Sequence, residues 1–287
     1  MQDWKNLLER KAVFMGSTDK MALADKVIIG LPMDATTSFR PGTRLGPYRV
    51  REVSEGIEEY SIYQDKSLEE VFFYDAGDVI IPFGNVLESL IRIETVALGI
   101  LASGKRILSI GGEHLVSLPL IKAYSRYYSD LVVIQLDAHA DLREEYLGES
   151  MSHATVMRQV LKYIEGKNLY QLGIRSGTRE EIQYASQNTN LYLNQLLSGA
   201  DDLIEKVDRR PVYITLDIDI LDPAYAPGTG TPEPGGFSSR ELLAFLLKLK
   251  PLNVVGFDLV EISPVYEKGD NTSILGAKIL REALLAF

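Results

Sequence analysis

Leu131-Val-Val-Ile-Gln-Leu-Asp-Ala-His-Ala-Asp141 begins with the character of a buried strand and closes on three groups that bind cations, Asp137, His139 and Asp141. Its apolar part is continuous and β-branched rather than alternating, which marks a strand covered on both faces. Side chains of an extended segment alternate faces, so the spacing predicts that Asp137, His139 and Asp141 point the same way where the strand ends. A second stretch, Val212-Tyr-Ile-Thr-Leu-Asp-Ile-Asp-Ile-Leu-Asp222, repeats the arrangement with Asp217 and Asp219.

An isolated Asp-Xaa-Asp is a common turn former. Carboxylates crowded beside a histidine at two strand ends are another matter. Buried without partners, each would cost several kcal/mol, and a pair of divalent cations between them removes that cost. The chain has only three histidines, His114, His139 and His153. His114 follows Arg106-Ile-Leu-Ser-Ile-Gly-Gly-Glu113, a strand-like run whose glycines allow the backbone to turn sharply and bring a side chain to the strand's carboxyl end.

Composition frames that site. The 287 residues are 46% hydrophobic and 24% charged, enough to bury a full core as one large α/β domain or two smaller ones. No cysteine is present, so metal ligands must be nitrogen and oxygen, and a reducing compartment is compatible. The start, Met1-Gln-Asp-Trp-Lys-Asn-Leu-Leu-Glu-Arg10, is too charged for a signal peptide, and no apolar run reaches the length of a membrane span. A cytoplasmic protein with no membrane partner is the expectation. A net charge of -10 disfavours nucleic acid and weakly favours cationic ligands.

Strand-like runs at 26–31, 71–74, 106–110, 131–137, 169–174, 212–216 and 254–257 alternate with helix-like patterns at 86–102, 115–128, 152–164, 238–249 and 271–285. That order predicts a single α/β domain over 1–287, with a mostly parallel central sheet flanked by helices. Ligands of such sheets bind beyond the carboxyl ends of the strands, where 112–114, 137–141 and 217–219 all fall.

Several separated motifs then carry a resemblance. Gly111-Gly-Glu-His114, Asp137-Ala-His-Ala-Asp141, Ser152-His153 and the run from Asp217 through Pro-Gly-Thr-Gly-Thr-Pro-Glu-Pro-Gly-Gly236 are similar to the signatures of the ureohydrolases, the family of arginases and agmatinases. Pro41-Gly-Thr-Arg-Leu-Gly-Pro47 and Val260-Glu-Ile-Ser-Pro264 resemble further family elements in the family's order, so the likeness spans nearly the whole chain. It implies an arginase-like fold and two Mn2+ ions that hydrolyse a guanidino compound to urea and an amine. His114 and Asp141 would hold one ion, His139 and Asp219 the other, with Asp137 and Asp217 bridging. Glu113 departs from the aspartate many relatives carry before the ligand histidine.

A guanidinium carbon is a poor electrophile, and two metals sharing a water can lower its pKa enough to leave a hydroxide against the substrate. Asp141, with an oxygen spare, can orient that hydroxide. The departing amine needs a proton from a group titrating near neutrality, for which His153 is the candidate. Glu261 follows a buried strand and resembles the family's guanidinium-binding glutamate; an internal Arg or Lys partner is the alternative. The rigid loop at 226–236 reads as a wall of the site, and Asp222 as a turn or supporting carboxylate.

Glu144, Glu145 and Glu149 follow the first motif and suit a substrate whose far end is cationic, and the runs 141–149 and 152–158 look most like agmatinase. Agmatine is therefore the expected substrate. Guanidinobutyrate, arginine and guanidine remain open, with Arg143 or Arg175 as basic partners for an acid, and a two-metal phosphoesterase is the more distant reading. The family also implies a homo-oligomer, a trimer or hexamer.

Overall fold

A computed structural model describes residues 3–287, leaving Met1 and Gln2 of the charged N-terminal stretch outside. The strands are β1 (Leu8–Glu9), β2 (Lys26–Leu31), β3 (Tyr60–Ser61), β4 (Lys66–Ser67), β5 (Phe73–Val79), β6 (Arg106–Gly111), β7 (Val132–Leu136), β8 (Leu169–Leu172), β9 (Asn190–Tyr192), β10 (Pro211–Asp217) and β11 (Asn253–Val260). The helices are α1 (Gly46–Ser54), α2 (Val86–Ala102), α3 (Ser117–Ser125), α4 (Val156–Val160), α5 (Arg179–Asn188), α6 (Ala200–Val207), α7 (Ser239–Lys248) and α8 (Asn271–Ala286).

Among the described residues nine strands form one sheet in the order β1-β5-β2-β6-β11-β10-β7-β8-β9, and β3 pairs with β4 as a separate ribbon. Every pairing in the large sheet is parallel except β1 against β5 at its edge. The expected α/β architecture therefore holds. Each central strand feeds both faces: Val27, Ile29, Ile107, Val133 and Tyr213 enter one apolar core, while Ile28, Leu108, Ile134 and Ile214 enter the other. Continuous apolar runs in the sequence reflect that double burial.

The predicted helix over 152–164 is shorter, a 3-10 turn at His153–Thr155 followed by α4. Three helices and two sheet strands escape the sequence reading, α1, α5, α6, β1 and β9. No described helix is long and apolar enough to cross a membrane.

Five strands that are neighbours in the sheet, β6, β11, β10, β7 and β8, end on the same edge. At or just past those ends lie His114, Glu261, Asp217 with Asp219, Asp137 through Asp141, and 175–178. Gly112 lets the first of these loops through. A Cβ there would stand 1.9 Å from the Met33 carbonyl oxygen, while the Gly112 and Glu113 N–H groups donate to Leu31 and Met33.

Candidate metal centre

The ligand-type side chains converge, though not by strand alternation as predicted. β7 stops at Leu136, and Asp219 lies in a 3-10 turn, Ile218–Ile220, so turns aim these groups. Asp141 has φ 53°, a left-handed conformation unusual for a residue with a side chain. Its carbonyl can then accept from the Met157 and Arg158 N–H groups at the start of α4, while its carboxylate faces His114. Glutamines hold the rest of this loop. Gln135 Nε2 donates to Asp137 Oδ2 at 2.8 Å and to the His139 carbonyl at 3.1 Å, and Gln171 Nε2 donates to Gln135 Oε1 and the Ala140 carbonyl.

Two groups of potential ligands share one residue. His114, Asp137 and Asp141 form the first, and Asp137, His139 and Asp219 the second, with ligand atoms within 4.8 Å of one another in each. His114 Nδ1 stands 3.0 Å from Asp137, 3.1 Å from Asp141 and 3.4 Å from Asp217. His139 Nδ1 is 2.9 Å from Asp219 Oδ2. Asp217 belongs to neither group and its Oδ1 accepts the Asp219 N–H at 2.8 Å.

Crowding displaces the titration of these groups. Burial, with the charges of Asp219 and Asp141, pushes Asp137 up to about 7, and burial with Asp219 and Asp137 raises Asp217 well above the carboxylate range. Burial opposes a charged His139, but Asp219 outweighs it and raises the imidazole to about 11, while the same pairing overcomes burial to hold Asp219 at about 2. Protons bound so tightly among carboxylates occupy the lone pairs a divalent cation would take.

The environment of His114 tests whether a metal fits. Thr215 Oγ1 donates to Asp258 Oδ1 at 2.7 Å, so it accepts from His114 Nε2 at 2.9 Å. That direction protonates Nε2 and points the Nδ1 lone pair at the carboxylates, where the buried nitrogen makes no hydrogen bond to any described residue. A donor set of two imidazoles and four carboxylates suits a hard or borderline divalent cation. The residues fit. Asp258, which also accepts from the Tyr213 hydroxyl at 2.7 Å, anchors this relay. Asp258→Asn is expected to weaken divalent-metal affinity about 10- to 100-fold, with turnover regained at high metal; equilibrium dialysis reads the change, and unaltered affinity would reduce the relay to packing.

Around the centre lies a cavity of about 280 Å³ lined by His114, His139, Asp141, His153, Asp217 and Glu261, together with Ser38, Arg143, Tyr146, Thr178, Glu181 and Thr231 among others. The loop 226–236, expected as a wall, contributes Thr231, whereas the sequence reading missed Ser38, Tyr146, Thr178 and Glu181 as lining residues; the capping pair Thr178–Glu181 was the signal for one part of that wall. Glu261 also has a positive φ, 65°, and its Oε1 accepts the His114 N–H at 2.8 Å. Burial raises its carboxyl to about 8. No described Arg or Lys forms an ion pair with it. His153 sits on the wall with Nε2 3.3 Å from Ser38 Oγ and Nδ1 3.3 Å from Ser152 Oγ, and burial lowers its pKa.

Glu144, Glu145 and Glu149 do not line this cavity. Their loop turns outward at Leu147 and Gly148, both with positive φ, and Glu144 pairs with Arg158. Arg175 is consumed by the carbonyls of Asp219, Ile220, Leu221 and Glu233. Asp222 closes the 226–236 wall, accepting the N–H groups of Ala224, Gly235 and Gly236.

Residues 24–286 match the family model described as the arginase family. The chain belongs to the arginase family. Among curated members it is 49% identical over 278 residues to an agmatinase of Bacillus anthracis, covering 96% of each chain. Solved relatives include the agmatine ureohydrolase of Thermoplasma volcanium, with 31% identity, 98% of this chain and 96% of that one covered, and TM-score 0.86. Proclavaminate amidinohydrolase from Streptomyces clavuligerus superposes with TM-score 0.89 at 34% identity, covering 97% of each chain. Family membership makes the chain a ureohydrolase by fold and lineage, and the last two relatives differ in the substrate their names state.

Proposed function

We propose that this ureohydrolase converts agmatine to putrescine and urea with two manganese ions. The observation that carries the reading is a pair of ligand groups joined through Asp137, at the floor of a cavity whose wall holds a carboxylate, Glu261, unpaired with any described Arg or Lys. Bound there, a divalent pair supplies an activated water at neutral pH.

The chain's own groups do the rest. A forked guanidinium takes the place of the missing partner of Glu261, and its charge draws that carboxyl into the ionised form. Asp141 orients the attacking oxygen from the side of His114. His153, kept neutral near pH 7 by burial, accepts a proton and returns it to the departing amine. Agmatinase names among the relatives support the substrate. So does the state of the two basic candidates for binding a carboxylate: Arg175 is spent on carbonyls, and Arg143 lies 3.3 Å from Glu181 and over the Tyr146 ring at 4.5 Å. A second reading, a guanidino acid, requires Arg143 to leave those partners.

Urea release by the manganese-loaded protein from agmatine, arginine, guanidinobutyrate and guanidine is the test. Preference for agmatine is expected, and preference for another compound would move the substrate assignment while keeping the chemistry. His153→Phe is expected to lower turnover about 10²- to 10⁴-fold with both metals retained; metal loss would make His153 a ligand instead.

A further inference from the structure

Glu113 is a fully buried carboxylate that the proposed reaction does not use. Its Oε2 reaches away from the sheet edge to residues 34–38, accepting the Thr36 N–H at 2.8 Å and the Thr37 hydroxyl at 3.3 Å. The same short segment touches His153 twice. Thr36 Oγ1 accepts the His153 N–H at 3.1 Å, and Ser38 Oγ lies 3.3 Å from His153 Nε2. One carboxylate past β6 thus ties down a loop that grips a histidine arriving from beyond β7.

The rest of the loop is anchored to suit. Asp34 Oδ2 accepts the Gly42 N–H at 2.9 Å, and Asp34 Oδ1 takes Arg44 at 3.3 Å, which closes the segment into the Pro-Gly-Thr-Arg turn. Without the Glu113 contacts, residues 36–38 would keep only the Asp34 turn at this far end and their contacts with His153 itself. Side-chain length matters here: an aspartate at 113 falls one methylene short of the Thr36 N–H. On the other side the Tyr146 ring meets His153 edge-on at 5.8 Å, so Ser38 and Tyr146 hold the imidazole between them.

We propose that Glu113, through the loop that ends at Ser38, positions the imidazole of His153 for proton transfer. This rests on the relay role assigned to His153 above. Glu113 is a positioning residue, acting on the reaction through hydrogen bonds to the loop rather than by touching substrate. A merely structural anchor would give the same fold but no coupling to His153.

The manganese-loaded full chain tests it in two ways. Glu113→Asp and Ser38→Ala are each expected to lower kcat roughly 10- to 100-fold, with KM and metal content unchanged. In a His153→Phe background the same changes are expected to cost less than about twofold, because the group they position is gone. Costs that multiply equally in both backgrounds overturn the proposal. Ser38→Ala, a change at an exposed hydroxyl, keeps the cycle decisive should Glu113→Asp fold poorly.

Diethyl pyrocarbonate supplies a readout free of turnover. With His114 and His139 assigned to metal, His153 is the histidine left to react, and peptide mass mapping gives its rate. Severalfold faster labelling in Glu113→Asp and Ser38→Ala than in the parent chain is expected, and equal rates overturn the proposal. A chain that releases no urea from any guanidino compound defeats the proposed function, while the labelling rates still decide the role of Glu113.

Discussion

Asp137→Asn is expected to abolish turnover and strip the centre of stoichiometric metal. Both oxygens of Asp137 already accept inside the protein: Oδ1 takes the His139 N–H at 2.6 Å and Oδ2 takes Gln135 Nε2 at 2.8 Å. An amide has one acceptor oxygen, so its NH2 must face either a peptide N–H or another amide NH2. Donor then meets donor in a site buried from water, and the loop that carries His139 shifts. Asp137 is also the residue common to both ligand groups, so the lost charge is felt at each. Several kcal/mol of transition-state stabilisation depend on a bound metal pair, which corresponds to a fall in turnover of roughly three orders of magnitude. Metal analysis of the purified variant beside urea release checks both halves, and an active, metal-replete Asp137→Asn protein would defeat the assignment.

The chain announces its centre locally and its walls hardly at all. Asp137, His139, Asp141, Asp217 and Asp219 lie within two short motifs, so sequence alone brings them close, and His114 follows a glycine pair whose passage beside Met33 only glycine allows. What the motifs could not convey was direction. An extended segment would have aligned 137, 139 and 141, whereas the chain leaves β7 one residue before Asp137 and reaches left-handed φ at Asp141. Ser38, Thr178 and Glu181 come from segments far apart in sequence that only the sheet order assembles. Glu144, Glu145 and Glu149 misled for the converse reason. They are near the motif in sequence, but the turn at Leu147 and Gly148 carries them away from the cavity.

The fold divides along similar lines. Strands buried on both faces leave an unmistakable apolar run, and β2 matches its predicted span, Lys26–Leu31. β5 runs on to Val79 through Asp75, Gly77 and Asp78, whose polarity conceals a strand. β1 and β9, two and three residues long, are too short for any period to register. α5 buries only Glu181 and Ala185, so its signal was a capping box rather than an apolar stripe. α1 hides for a different reason: it buries an arginine.

That arginine carries the largest stability effect expected of a single substitution here. Arg51 is 1% exposed. Its Nε and Nη2 grip the two oxygens of Asp75 at 2.8 and 3.0 Å, Nη1 reaches Asp78 at 2.5 Å, and the carbonyls of Pro47 and Gly77 take the remaining donors. Asp75 is buried as well and also accepts the Phe14 and Gly77 N–H groups. Arg51→Ala leaves that carboxylate charged, dry and without its cation, a change that costs about 3–5 kcal/mol against a typical total of about 5–15. The midpoint of thermal unfolding should drop by roughly 5–10 °C for a chain of this length. Replacing Asp75 as well removes the stranded charge but orphans two backbone donors, so Arg51→Met with Asp75→Leu should recover only part of the loss. Turnover per folded molecule should be little altered, because the pair lies at β5 and α1 rather than at the metal centre. Asp137→Asn is expected to do the reverse, removing activity from a chain that stays folded. A double-mutant cycle between the two positions should therefore be additive in stability, and a large coupling would mean that α1 transmits strain to the loop after β7.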